Sequence, residues 1–156
     1  MNFNTSSVDL SITPYQEGVN PPVLKPNIEF LTDLGEEGIR KLLDRAYLGL
    51  LESPIKDIFP HGRKEMSEAG QITADFFIQI CGGDDYFTKK RGAPRMVGRH
   101  AFFIITPSAR IHWLREFQDA LKPIIDNNIT TDANIQSFWN YIDIFSMWMI
   151  NTKNDK

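Results

Sequence analysis

Seven apolar residues in one stretch, Ile39, Leu42, Leu43, Ala46, Tyr47, Leu50 and Leu51, keep the spacing of a single helical face without an error. Gaps of this kind put all of them on one side of a helix with about 3.6 residues per turn. The spacing therefore predicts an amphipathic helix from Glu36 to Leu51 with a broad apolar side to bury. Pro54 ends it, because the residue ahead of a proline is driven out of helical geometry. A second helix is expected from about Arg63 to Ile80, with Met66, Ala69, Thr73, Phe76, Phe77 and Ile80 on one side. Gly82 and Gly83 stop it, as glycine does past a helix end. A third opens with Thr106 as N-cap and Pro107 in the first turn, both favoured there, and continues through Trp113, Phe117, Leu121 and Ile124. A fourth starts near Thr131 and Asp132 and turns Ile135, Phe138, Trp139, Ile142, Phe145 and Met149 inward. No hairpin signal separates alternating segments. The expected fold class is all-α.

The flanks read differently. Pro14, Pro21, Pro22 and Pro26 crowd the first 33 residues, which are expected to be an irregular arm, mobile or draped on the surface, with a turn of helix near Ile28 to Leu31. Residues 34–151 form the helical domain, and 152–156 are expected to be a disordered tail. Residues 84–105 read as irregular, broken by Gly92, Pro94 and Gly98, and a loop of that length inside a small domain is usually functional.

Charge and cysteine usage narrow the class. The chain of 156 residues carries 17 Lys+Arg against 20 Asp+Glu, a net charge of -3, which argues against a nucleic-acid partner and gives no support to a polybasic membrane anchor. No apolar run is long enough to span a bilayer. The first residues have neither a basic start nor an apolar signal core, so secretion is not expected. A lone cysteine, Cys81, makes no internal disulfide, which fits a reducing, cytoplasmic setting. One cysteine and three histidines also exclude a structural zinc cluster.

His100 is the residue that most invites chemistry. It precedes Ala101, Phe102, Phe103, Ile104 and Ile105. An imidazole beside five apolar residues is either a core histidine with a satisfied ring or a ligand to something buried, and in isolation the first is commoner. The basic run Lys89, Lys90, Arg91, Arg95 and Arg99 is either a solvated loop surface or a cradle for carboxylates or phosphates of a ligand. Tyr47 and Trp113 read most simply as core. Ala69 and Thr73 place small side chains on the inner face of the second helix, which means either close helix approach or room for a ligand.

Together these features have a sharper explanation. The stretch from Gly82 and Gly83, through Gly92, Pro94, Arg95 and Met96, to Arg99, His100, Ala101 and Phe103 resembles the signature of truncated haemoglobins, bacterial-type globins. Ala109, Arg110, Trp113 and Leu114 resemble the stretch that follows in that family, with a tryptophan at the spacing typical of its group II branch. Arg45 with Tyr47, and Phe59 with Pro60, resemble two further marks of the branch. The likeness runs over roughly residues 34–150. It departs at Phe102, where the family has proline, and at Ile72, Val97 and Gly98, where the family often has basic residues.

The resemblance implies a two-over-two helical sandwich around haem b, with His100 as the proximal ligand to the iron. It implies Tyr47 and Trp113 as distal polar groups, with Thr73 as a third donor and Ala69 over the same face. It further implies Phe59, Phe76, Phe87, Met96 and Phe103 as pocket walls and Arg95 at the rim. Arg95, Arg99 and Lys64 are the candidates for the haem propionates. Distal donors and steric access decide which gas binds a haem and how it reacts. The implied function is reversible binding of O₂, NO and CO, in the service either of oxidoreductase chemistry (nitric oxide dioxygenase or peroxidase-like, with a reductase as partner) or of sensing and storage without turnover. A haem-free interaction domain is the third reading, with Tyr141, Ile144 and Trp148 as a second apolar stripe that either forms a dimer seam or lies under the arm. Neither nucleic acid nor membrane is an expected partner, and a monomer or homodimer is the expected assembly.

Overall fold

A computed structural model describes residues 7–153. It contains helices α1 (Ile28–Leu50), α2 (Arg63–Ile80), α3 (Tyr86–Arg91), α4 (Met96–His100), α5 (Pro107–Asp126) and α6 (Asp132–Met149), with a single 3-10 turn, Lys56–Ile58, between α1 and α2. Among the described residues there is no strand. The pair α1 and α2 packs on the pair α5 and α6, chiefly through α1. Six of the seven residues of that face, Ile39, Leu42, Leu43, Ala46, Tyr47 and Leu50, are buried in α1, and Leu51, at its C-cap, is half-buried.

Aromatic rings fill the space between the pairs. Phe30 stacks on Phe138 at 4.5 Å, and Phe77 meets Phe117, Phe138 and Tyr141 edge-on. Such pairs add about 0.5–1.5 kcal/mol each beyond the area they bury. The cap expected at Thr106 forms, and Thr131 caps the last helix in the same way. The Thr106 hydroxyl accepts from the Ala109 N–H at 3.0 Å, and the Thr131 hydroxyl from the Asn134 N–H at 3.2 Å, each satisfying a donor that the helix itself leaves open.

The glycine pair after α2 has two separate causes. Gly82 adopts φ 97°, a left-handed value that a side chain disfavours. Gly83 returns its N–H to the Ile78 carbonyl at 2.9 Å, and a Cβ there would lie 2.7 Å from Leu31 Cδ2. Close approach also explains Gly70, where a Cβ would sit 3.1 Å from Tyr47 Cβ and 3.2 Å from the Leu43 carbonyl. Its bare backbone lets α2 lie against α1 one turn before Thr73.

Two sequence expectations need correcting, and the two readings of the arm are resolved. Residues 84–105 are not wholly irregular, since they hold α3 and α4. Helices of six and five residues are too short to show a period, and Gly92 (φ 85°) and Arg95 (φ 42°) separate them. The turn of helix expected near Ile28 to Leu31 is the start of the first long helix, which begins at Ile28, ahead of Glu36. Gly35, at φ 72° and ψ 166°, breaks it into segments 28–34 and 36–50, so the periodic stretch captured only the second. Of the two readings of the arm, mobile or draped, its described part is draped and anchored. The Trp139 indole donates to the Ser11 carbonyl, Gln118 to the Leu10 carbonyl, and the Trp148 indole to the Pro21 carbonyl. Trp148, one member of the second apolar stripe, therefore meets the arm. Thr152 and Lys153 are tied as well, to the Ile105 carbonyl and to Glu17. Residues 1–6 of the expected arm and 154–156 of the expected tail lie outside the described residues.

Candidate functional site

A cavity of about 620 Å³ opens among all six helices, and its walls are mostly apolar. The sequence-expected residues Tyr47, Phe59, Ala69, Thr73, Phe76, Phe87, Met96, His100, Phe103 and Trp113 all line it. Packing alone brings together residues as far apart in sequence as Tyr47 and Trp113: α1 supplies Tyr47, α2 supplies Ala69, Thr73 and Phe76, α3 supplies Phe87, α4 supplies Met96 and His100, and α5 supplies Trp113.

Arg95 is not among the lining residues, and its exposed side chain leaves α4 from a left-handed position. Arg91 and Arg99 line the cavity instead. Arg99 is committed to the loop before it: its guanidinium donates to the carbonyls of Arg91, Ala93 and Pro94 and lies 5.0 Å from the centre of the Phe87 ring. Lys64 lies on the exposed start of α2, away from the cavity wall.

The His100 ring has a defined tautomer. Nδ1 lies 2.7 Å from the Met96 carbonyl, one helical turn back. A carbonyl only accepts, so Nδ1 carries the proton and Nε2 of the neutral ring keeps its lone pair. Nε2 has no hydrogen-bond partner among the described residues. This is the arrangement of a ligating imidazole, oriented through its second nitrogen.

A second polar group forms around Tyr47. Its oxygen accepts from the Trp113 indole N–H, and the Thr73 hydroxyl lies 3.0 Å away. Thr73 Oγ1 also lies 3.2 Å from the Ala69 carbonyl of its own helix. One hydroxyl proton serves one acceptor at a time. When Thr73 donates to Tyr47, the phenol proton is free for a third partner; when Thr73 donates to Ala69, Tyr47 donates to Thr73. Phe59 packs edge-on against the Tyr47 ring at 5.8 Å. Burial pushes the Tyr47 phenol up from its ordinary value, although both hydrogen bonds oppose that, so it remains a protonated donor.

Two other buried acids shift the same way. Burial pushes the Cys81 thiol up from 9.0 to about 12, and it raises the Tyr141 phenol. A raised value in the folded state means that stability is fully present below the unfolded value and falls as pH rises above it. Urea denaturation should therefore show a loss beginning near pH 9 with Cys81 and steepening above about pH 10 with the two tyrosines. Each group contributes about 1.4 kcal/mol per pH unit in its window. A flat profile from pH 8 to about pH 11 would contradict this assignment.

Sequence reasoning named Arg91 only within the basic run, quoted Arg110 only in the resemblance and missed Ser146 as a cavity residue, and it read Phe145 and Met149 only as inward-facing core. The signal for Arg110 lay in a charged residue one turn before Trp113. Its meaning needed Asp143, which is distant in sequence.

The Bacterial-like globin family model matches residues 33–151. Two-on-two hemoglobin-3 of Arabidopsis thaliana is 30% identical over 94 residues, covering 60% of this chain and 53% of that protein. The match thus spans about half the length of that curated relative. Among solved structures, phosphate-bound Hell's gate globin IV superposes with a TM-score of 0.79 at 33% identity, covering 88% of this chain and 83% of its own. The group II truncated haemoglobin of Bacillus anthracis does so with a TM-score of 0.71 at 25% identity, covering 80% and 98%.

Proposed function

The chain belongs to the bacterial-like globin family, whose members bind diatomic gases at haem, and we propose from that premise that its cavity holds haem b through His100 and binds O₂, NO and CO. The observation that carries this reading is the His100 ring itself, whose Nδ1 is spent on the Met96 carbonyl while Nε2 is left unpartnered in an apolar cavity. A satisfied core histidine would have partners for both nitrogens. The walls suit a flat apolar group: Phe76, Phe87 and Phe145 lie in mutual ring contact around Phe76. Arg91, exposed at the margin, is the cation available for a propionate, because Arg99 is occupied by the loop carbonyls.

When bound, haem supplies the iron that holds the gas and exchanges electrons. The protein supplies the rest. His100 offers the nitrogen lone pair, Tyr47 a phenol proton held in place by burial, and Trp113 an indole that can only donate. Thr73 selects whether the Tyr47 proton points to the gas or back into the helix. Ala69 leaves the approach open and offers no atom that could compete for the iron. Donors of this kind favour retention of oxygen over rapid release, which supports a reaction in which one NO, one O₂ and one electron give one nitrate. The electron requires a reductase.

The test is an absorbance spectrum of haem-loaded protein, ferric, reduced with dithionite, and reduced under CO, beside His100→Ala. A Soret band that moves with CO in the wild type and is lost or altered in the variant is the expected result. A folded protein that takes up no haem, or a variant with an unchanged spectrum, overturns the assignment.

A further inference from the structure

The net charge of -3 conceals a strong asymmetry. From Tyr86 to Arg115 the chain has no Asp or Glu, yet it carries seven cations, which leaves ten cations against twenty acids elsewhere. Within that span sits the densest group of exposed large apolar side chains among the described residues: Phe102 at 92%, Ile104 at 69%, Val97 at 53% and Phe103 at 47%. Lys89, Arg91 and Arg95 are exposed in the segment leading to it. Phe103 also lines the cavity, but Phe102 and Ile104 do not, so a cavity ligand would leave those two in solvent.

We propose that this tip is a membrane-docking surface, in which Val97, Phe102 and Ile104 enter an anionic lipid interface and the neighbouring cations meet its headgroups. Apolar and aromatic groups beside Lys and Arg are the chemistry that interfacial binding uses. Two observations favour lipid over a protein partner. Phe102 projects almost fully into solvent, and a bilayer accommodates a projecting ring without a matching pocket. The backbone behind the tip is also largely satisfied. The Asn151 side chain donates to the carbonyls of His100 and Phe103 and accepts from the Ile105 N–H, while the Ile105 carbonyl accepts from the N–H groups of Asn151 and Thr152. Entry into lipid therefore leaves those polar groups paired. Because no helix of the described residues is long and apolar enough to cross a membrane, the attachment is peripheral. It does not depend on the gas chemistry proposed above.

The experiment is flotation of the full chain with vesicles of phosphatidylglycerol and phosphatidylcholine, beside vesicles of phosphatidylcholine alone. Capture by the anionic vesicles should weaken as salt rises from about 0.05 M to about 0.5 M. Phe102→Ser with Ile104→Ser should reduce partitioning about tenfold or more, the expected scale for removing two buried apolar groups. Lys89→Glu with Arg95→Glu should reduce it by at least about fivefold per cation. All four residues are exposed, and circular dichroism checks that the variants fold. No capture by anionic vesicles, or capture unchanged in both variants, overturns the proposal. Binding to an acidic ferredoxin without binding to vesicles would also overturn it, assigning the tip to a protein partner instead.

Discussion

Asp143→Ala should lower the unfolding free energy by about 3–5 kcal/mol, the usual cost of removing one partner from a buried ion pair. Asp143 and Arg110 are 5% and 3% exposed, and the Arg110 guanidinium meets the Asp143 carboxylate directly. Burial lowers the Arg110 value and Asp143 holds it up, so without the carboxylate a desolvated cation remains. The same pair fastens the arm. Arg110 Nη1 donates to the Thr13 carbonyl at 2.7 Å, while the Thr13 hydroxyl and N–H donate to Asp143 at 2.6 and 3.1 Å. Arg110 Nε donates to Ser146 Oγ at 2.9 Å. Urea denaturation should be accompanied by faster proteolysis of the arm. The double variant Arg110→Met with Asp143→Ala should recover part of the loss, because it leaves no unpaired charge. A loss below about 1 kcal/mol would mean that the pair behaves like a surface bridge.

Tyr47→Phe should release oxygen about 10–100 times faster than the wild type, which corresponds to one hydrogen bond to a charged partner. The ring, its burial and its contact with Phe59 are retained in this variant, so the change isolates the hydroxyl. Trp113→Phe should act in the same direction, because the indole N–H donates to the Tyr47 oxygen and leaves the phenol proton free to point elsewhere. Thr73→Val removes the group that competes for that proton and should therefore differ from both. The measurement is stopped-flow displacement of oxygen by CO. A rate within about twofold of wild type for Tyr47→Phe would remove that residue from the gas-binding group.

The sequence was legible where a local rule acts on neighbouring residues. The apolar faces of α1, α2, α5 and α6, the Thr106 and Thr131 caps and the glycine pair after α2 each follow from spacing or backbone geometry, and each is present. The resemblance carried by His100, Trp113 and the glycine pair led to the cavity residues, and all but Arg95 and the propionate candidate Lys64 line it. What spacing could not convey was direction. Arg91, Arg95 and Arg99 are indistinguishable as a basic run, but the left-handed turn at Arg95 and the carbonyls that capture Arg99 give each a different place.

The sequence by itself determined the apolar faces of the four long helices and singled out His100 as the candidate histidine, because periodicity, caps and breakers act over a few residues. Only the tertiary structure decided that Thr73 rather than a neighbour meets Tyr47, that Nε2 of His100 is the nitrogen left available, and that Arg110 joins Asp143 to the arm. Those outcomes depend on contacts between residues far apart in the chain, and their geometry exists only once the helices have packed.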